Sequence, residues 1–62
     1  MERWAIGDLG RTYRVVKSMG APPLVLLPLE RAIQHMRVGT FALVAGEMRD
    51  FRERLLEWNE TI

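Results

Sequence analysis

The chain contains no cysteine and only one histidine among its 62 residues. The first absence excludes disulfides and Cys-ligated zinc or iron–sulfur sites, and a single histidine excludes a His-rich metal site. Neither Gly7 nor Gly10 is followed directly by the Lys-Ser/Thr pair that a phosphate-binding loop requires. We therefore predict a protein that is not an enzyme and that binds no metal and no cofactor.

A long apolar run is also absent. The longest one, Ala21 to Leu29, has nine residues and is broken by three prolines. Spanning a bilayer requires roughly 20 apolar residues. Near the start of the chain, Gly7-Asp8 stands where a signal peptide would have its apolar core. We predict no membrane span and a cytoplasmic location.

The last third of the chain carries an unbroken heptad pattern of large apolar residues. Their spacings alternate between three and four, which is typical of one face of an amphipathic helix. We predict a long helix over residues 40–59, with the Thr40 hydroxyl as a candidate N-cap. The residues of this apolar ladder are Phe41, Val44, Met48, Phe51, Leu55, Trp58 and Ile62.

The ladder predicts association, because so short a chain has little surface with which to cover it. Small domains without disulfides or metals often gain stability from a second chain. The d positions include Phe51 and Trp58, where a two-stranded coiled coil prefers leucine. We therefore predict a bundle seam on which the helix over residues 28–37 packs in part and a second copy covers the rest, with the ladder as the dimer or partner interface. Trp58 and Ile62 are the first place to look for the partner.

The middle of the chain predicts a shorter helix over residues 28–37. Pro28 suits the first helical position, where its missing N–H is no loss. Gly39 can adopt the left-handed conformation that ends a helix. With the long helix this makes a helix-turn-helix hairpin at 28–58, preceded by a Pro-bounded extended linker at 20–27.

Residues 2–19 allow two interpretations. Ile6, Leu9, Tyr13 and Val16 have helical spacing, although glycines at 7 and 10 weaken a helix. The alternative is a β-hairpin that pairs residues 3–6 with 12–16 across those glycines. We predict the helix, and hence an all-α single domain over residues 1–62, a small bundle with two to three helices per chain.

Charge is distributed unevenly along the chain. Residues 1–40 carry a balance of +3 and residues 41–62 one of −2, which favours contact with a complementary patch. Arg11, Arg14 and Lys17 recur every three residues and could contact phosphates.

Two functions are consistent with these patterns. The first is a non-enzymatic interaction or assembly module that acts through homo-oligomerisation or another protein. The alternative is a small DNA- or RNA-binding regulator, a dimeric helix-turn-helix or ribbon-helix-helix protein that uses Arg11, Arg14 and Lys17. Against the alternative, residues 41–45 lack side chains that read bases, and the 20–27 spacer is long for a ribbon-helix-helix.

Overall fold

Helices account for most of the chain that the structure describes. The computed structural model describes the backbone of residues 6–61 and the side chains of residues 7–61. Within that range it contains three α-helices, one short 3-10 helix and no strand, which confirms the all-α class. Residues 2–5 of the predicted N-terminal segment and Ile62 of the ladder lie outside the described residues. The elements are α1 Ile6–Ser18, α2 Pro23–Val38, the 3-10 helix Phe41–Leu43 and α3 Val44–Thr61.

Helix α1 includes both glycines of the N-terminal segment. Residues 12–16, the second strand of the alternative hairpin, are helical. Asp8 in the first turn and Lys17 in the last turn complement the helix macrodipole. The chain leaves the helix at Gly20, whose φ of 88° lies in the left-handed region that glycine adopts without strain.

Helix α2 begins at Pro23 and not at Pro28, so the predicted linker 20–27 is wrong for residues 23–27. Pro23 occupies the start of the helix, and extended Pro22 precedes it as the N-cap residue. Pro28 then falls inside the helix, where a proline removes one backbone hydrogen bond.

The hydrogen bond that Pro28 removes is replaced from α3. In an α-helix the N–H of residue 28 would donate to the carbonyl oxygen of residue 24. Here the Leu24 carbonyl accepts a hydrogen bond from Arg54 Nη1 at 2.8 Å. Arg54 Nε also donates to Asp50 Oδ1 at 3.1 Å, so the guanidinium is held between the two helices. This contact explains how α2 continues through Pro28.

Contacts between Thr40 and His35 stabilise the junction between α2 and α3. Gly39, with φ 84°, ends α2 in the left-handed conformation as predicted. The backbone N–H of Thr40 donates to the His35 carbonyl at 2.9 Å, and Thr40 Oγ1 lies 3.1 Å from His35 Nδ1. Thr40 therefore holds the N-cap position of the 3-10 helix, but the predicted capping bond from its hydroxyl is wrong, because its side chain makes none. The 3-10 helix Phe41–Leu43 leads directly into α3.

Helix α2 lies between the other two. It packs against both α1 and α3, whereas within the described range no Cα atoms of α1 and α3 come within 8 Å of each other. The buried core follows this arrangement, since α2 contributes more of it than either neighbour. Its residues are Leu9 and Val16 of α1, Val25, Leu26, Pro28, Leu29 and Ala32 of α2, and Val44 and Phe51 of α3.

Candidate interaction surfaces

The ladder of α3 faces the chain's own α2 over most of its length. Val44 and Phe51 are buried in the core, and Met48, Leu55 and Trp58 are partly buried against it. Regular heptad spacing placed these residues on one face, and α2 covers that face within a single chain.

The first ladder residue is different. Phe41 belongs to the 3-10 helix, is 63% exposed and takes no part in the core. The 3-10 conformation has three residues per turn, so residues 41–43 leave the register that the heptad assumes. Phe41 therefore lies at the surface of the α2–α3 junction.

Several large apolar side chains outside the core are more than half exposed. Three of them, Val38, Phe41 and Leu43, lie within six consecutive positions at the α2–α3 junction. The segment 38–46 that contains them has no charged residue. Of these exposed apolar residues, the sequence pattern predicted an interface role only for Phe41, because periodicity alone does not show which helix has a neighbour on each side. The full set is Val15, Met19, Leu24, Val38, Phe41, Leu43 and Leu56.

Helix α1 presents a basic strip to solvent, formed by Arg11, Arg14 and Lys17. All three residues are exposed, and they lie on the side of α1 away from Leu9 and Val16, which face the core. Lys17 Nζ lies 5.7 Å from the centroid of the Tyr13 ring, a cation–π distance. The helical conformation of α1 thus brings the predicted phosphate-contact residues onto one outer face.

Helix α3 presents an acidic strip on its own outer side, formed by Glu53, Glu57 and Glu60. The three residues follow the i, i+4, i+7 spacing of one helical face, and each of them is exposed. The predicted Asp50–Arg54 ion pair is present at 3.1 Å. Among residues 7–61 it is the one ion pair found, so the predicted Arg49–Glu53 pair does not form and the acidic strip has no partner there.

Two shallow grooves run beside α2. One, of about 450 Å³, lies between the start of α2 and the end of α3 and is lined by Leu24, Val25, Arg54 and Trp58 among others. The other, of about 400 Å³, lies between α1 and α2, where Arg14 and Arg37 flank Ile33. Both are open, and the second is also lined by Tyr13 and Glu30.

No group of three or more His, Cys, Asp or Glu side chains among residues 7–61 could hold a metal ion. His35 is engaged with Thr40 at the α2–α3 junction. Glu47 has one carboxylate oxygen, Oε2, that is buried without a hydrogen-bond partner.

Over the described range, no helix has the length and apolarity that crossing a bilayer demands. Comparison of the chain with known protein families, with curated proteins and with solved structures finds no match. The proposed function therefore rests on the exposed surfaces of the chain.

Proposed function

We propose that this chain is a non-enzymatic helical interaction module that associates with itself and presents a further apolar surface to a protein partner. The observation that carries the proposal concerns residues 7–61, where seven large apolar side chains are more than half exposed and eight hydrophobic residues are buried. Apolar surface removed from water stabilises a contact by about 25 cal/mol per Å².

The distribution of these side chains supports two contact regions. The α2–α3 junction offers Val38, Phe41 and Leu43 within a stretch without charge, which suits an apolar surface of another protein. Val15 on α1 and Leu56 on α3 are single exposed apolar residues among charged neighbours. Such a composition, with an apolar centre and a polar rim, is typical of protein–protein contacts.

Sedimentation equilibrium of the full chain tests the self-association. We expect the weight-average mass to rise above that of the monomer between about 1 and 100 µM, since association follows mass action. A chain that remains monomeric throughout that range would contradict the proposal. Loss of helical circular dichroism at the same concentrations would show unfolding in place of association.

A nucleic-acid-binding regulator is the second candidate, because α1 presents Arg11, Arg14 and Lys17 on one exposed face. Contacts from basic side chains to phosphates make affinity fall steeply with salt. A titration of fluorescent duplex DNA and single-stranded RNA at low ionic strength tests it. Binding that weakens with added salt and with Arg14→Glu, but not with Arg31→Glu, would favour this candidate, and no binding would remove it.

A further inference from the structure

We infer that self-association joins the outer face of α1 in one copy to the outer face of α3 in another. The inference rests on the proposed function and names the surfaces that meet. The basic strip Arg11, Arg14 and Lys17 would lie against the acidic strip Glu53, Glu57 and Glu60 of the second copy.

The two strips match in charge and in length. Each has three residues of one sign on the outer side of its helix, and one exposed residue of the opposite sign, Asp8 or Arg49, stands one turn before each strip. Arg11 to Lys17 covers about 9 Å along the helix axis and Glu53 to Glu60 about 10 Å, at about 1.5 Å per residue. Opposed strips of this kind orient an encounter and disfavour wrong partners.

An apolar residue stands beside each strip. Val15 lies one turn after Arg11 on α1, and Leu56 lies one turn before Glu60 on α3. Each of these side chains is 53% exposed. When the strips meet, Val15 and Leu56 can be covered together, and this burial adds to an attraction that exposed ion pairs alone provide weakly.

The fold leaves both faces available at once. Helix α2 separates α1 from α3, so within the described chain the basic strip is not neutralised by the acidic one. Pairing α1 with α1, or α3 with α3, would bring like charges together. The contact of α1 with α3 can be made twice, reciprocally, in a twofold dimer, or once per copy in a head-to-tail chain that continues unless a ring closes.

Charge reversal in two directions tests the inference. The variants are Arg11→Glu/Arg14→Glu, Glu53→Lys/Glu57→Lys, and the four changes combined in one chain. We expect each pair to weaken self-association at least tenfold in sedimentation equilibrium. The combined variant carries the native net charge of +1 and should regain self-association, as should an equimolar mixture of the two pairs.

Arg31→Glu/Arg37→Glu is the matched control for Arg11→Glu/Arg14→Glu, because all four arginines are exposed and the change of charge is the same. We expect it to leave association within about twofold of the native chain, since exposed charges away from a contact are screened within about 10 Å at 0.1 M salt. Circular dichroism of each variant confirms that it is folded.

The outcomes separate the inference from the proposed function. A monomeric native chain would overturn both. A native oligomer that neither charge pair weakens, or that the combined variant fails to restore, would overturn the inference alone. Loss of nucleic-acid binding in Arg11→Glu/Arg14→Glu with unchanged self-association would also overturn it and assign the basic strip to the alternative function.

Discussion

Helix α2 is more buried than helix α3, although α3 has the more regular apolar pattern in its sequence. The regular heptad face belongs to α3, yet only two of its residues, Val44 and Phe51, are buried. Helix α2 has an interior proline and a less regular pattern, yet it contributes five buried residues. The difference arises because α2 has a neighbour on each side and α3 packs against one. Position between neighbours, and not periodicity, decides how much of a helix is buried here.

The two phenylalanines of the ladder give the largest test of this comparison. Phe51 is 5% exposed and Phe41 is 63% exposed. Phe51→Ala should cost about 3–5 kcal/mol of unfolding free energy, which is much of the total for a domain of this size. Phe41→Ala should cost less than about 1 kcal/mol. Urea unfolding at a concentration where the chain is monomeric measures both, and equal losses would show that α2 does not cover the ladder.

A leucine pair compares the two helices directly. Leu29 of α2 is fully buried and Leu56 of α3 is 53% exposed. Leu29→Ala should cost about 2–5 kcal/mol through lost burial and the cavity left behind. Leu56→Ala should change the unfolding free energy by less than about 0.5 kcal/mol. Thermal unfolding by circular dichroism checks this, and a large loss at Leu56 would place it in the core.

Two glycines test the boundary between the helices. Gly39 has a φ of 84°. Gly46 lies inside α3, and outside the local helix backbone no atom lies within 4 Å of the position that an alanine methyl group would take. Gly39→Ala should destabilise the fold by about 1–2 kcal/mol because of the left-handed conformation. Gly46→Ala should stabilise it by up to about 1 kcal/mol through helix propensity. Opposite shifts in the urea midpoint are expected, and shifts of the same sign would contradict the junction geometry.

The smallest effect concerns the bond that joins α3 to the interrupted part of α2. Pro28→Ala restores the N–H that α2 lacks, so it should make the Arg54 hydrogen bond to Leu24 redundant. A double-mutant cycle of Pro28→Ala with Arg54→Gln should show a coupling of about 0.5–1.5 kcal/mol. Additive effects would mean that Arg54 does not compensate for Pro28. Arg49→Gln, in the same helix, is the control for Arg54→Gln.

Local signals predicted the helices well and their contacts less well. The left-handed Gly39 and the ladder period were sufficient to place the hairpin of α2 and α3. The start of α2 was missed because Pro28 can begin a helix or, with an outside donor, lie within one. That donor, Arg54, is 30 residues away from Leu24 in sequence, and no local pattern indicates it.

The candidate surfaces could likewise be predicted only in part from local sequence patterns. Helical spacing alone was enough to place Arg11, Arg14 and Lys17 on one face. The exposure of Val15 and Leu56 follows from which side of each helix α2 occupies, and that depends on packing. The sequence pattern of α3 also could not show that its ladder would be covered from within the chain.

Helix α2 covers most of the α3 ladder within one chain, and we propose that self-association uses the outer faces of a monomer that is already folded. Far-ultraviolet circular dichroism across an about thousand-fold dilution, with sedimentation equilibrium to follow dissociation, tests it most directly. We predict that helicity per residue stays constant while the mass falls to that of the monomer. Helicity that decreases in parallel with dissociation would contradict the claim, because it would show that the ladder needs a second chain to fold.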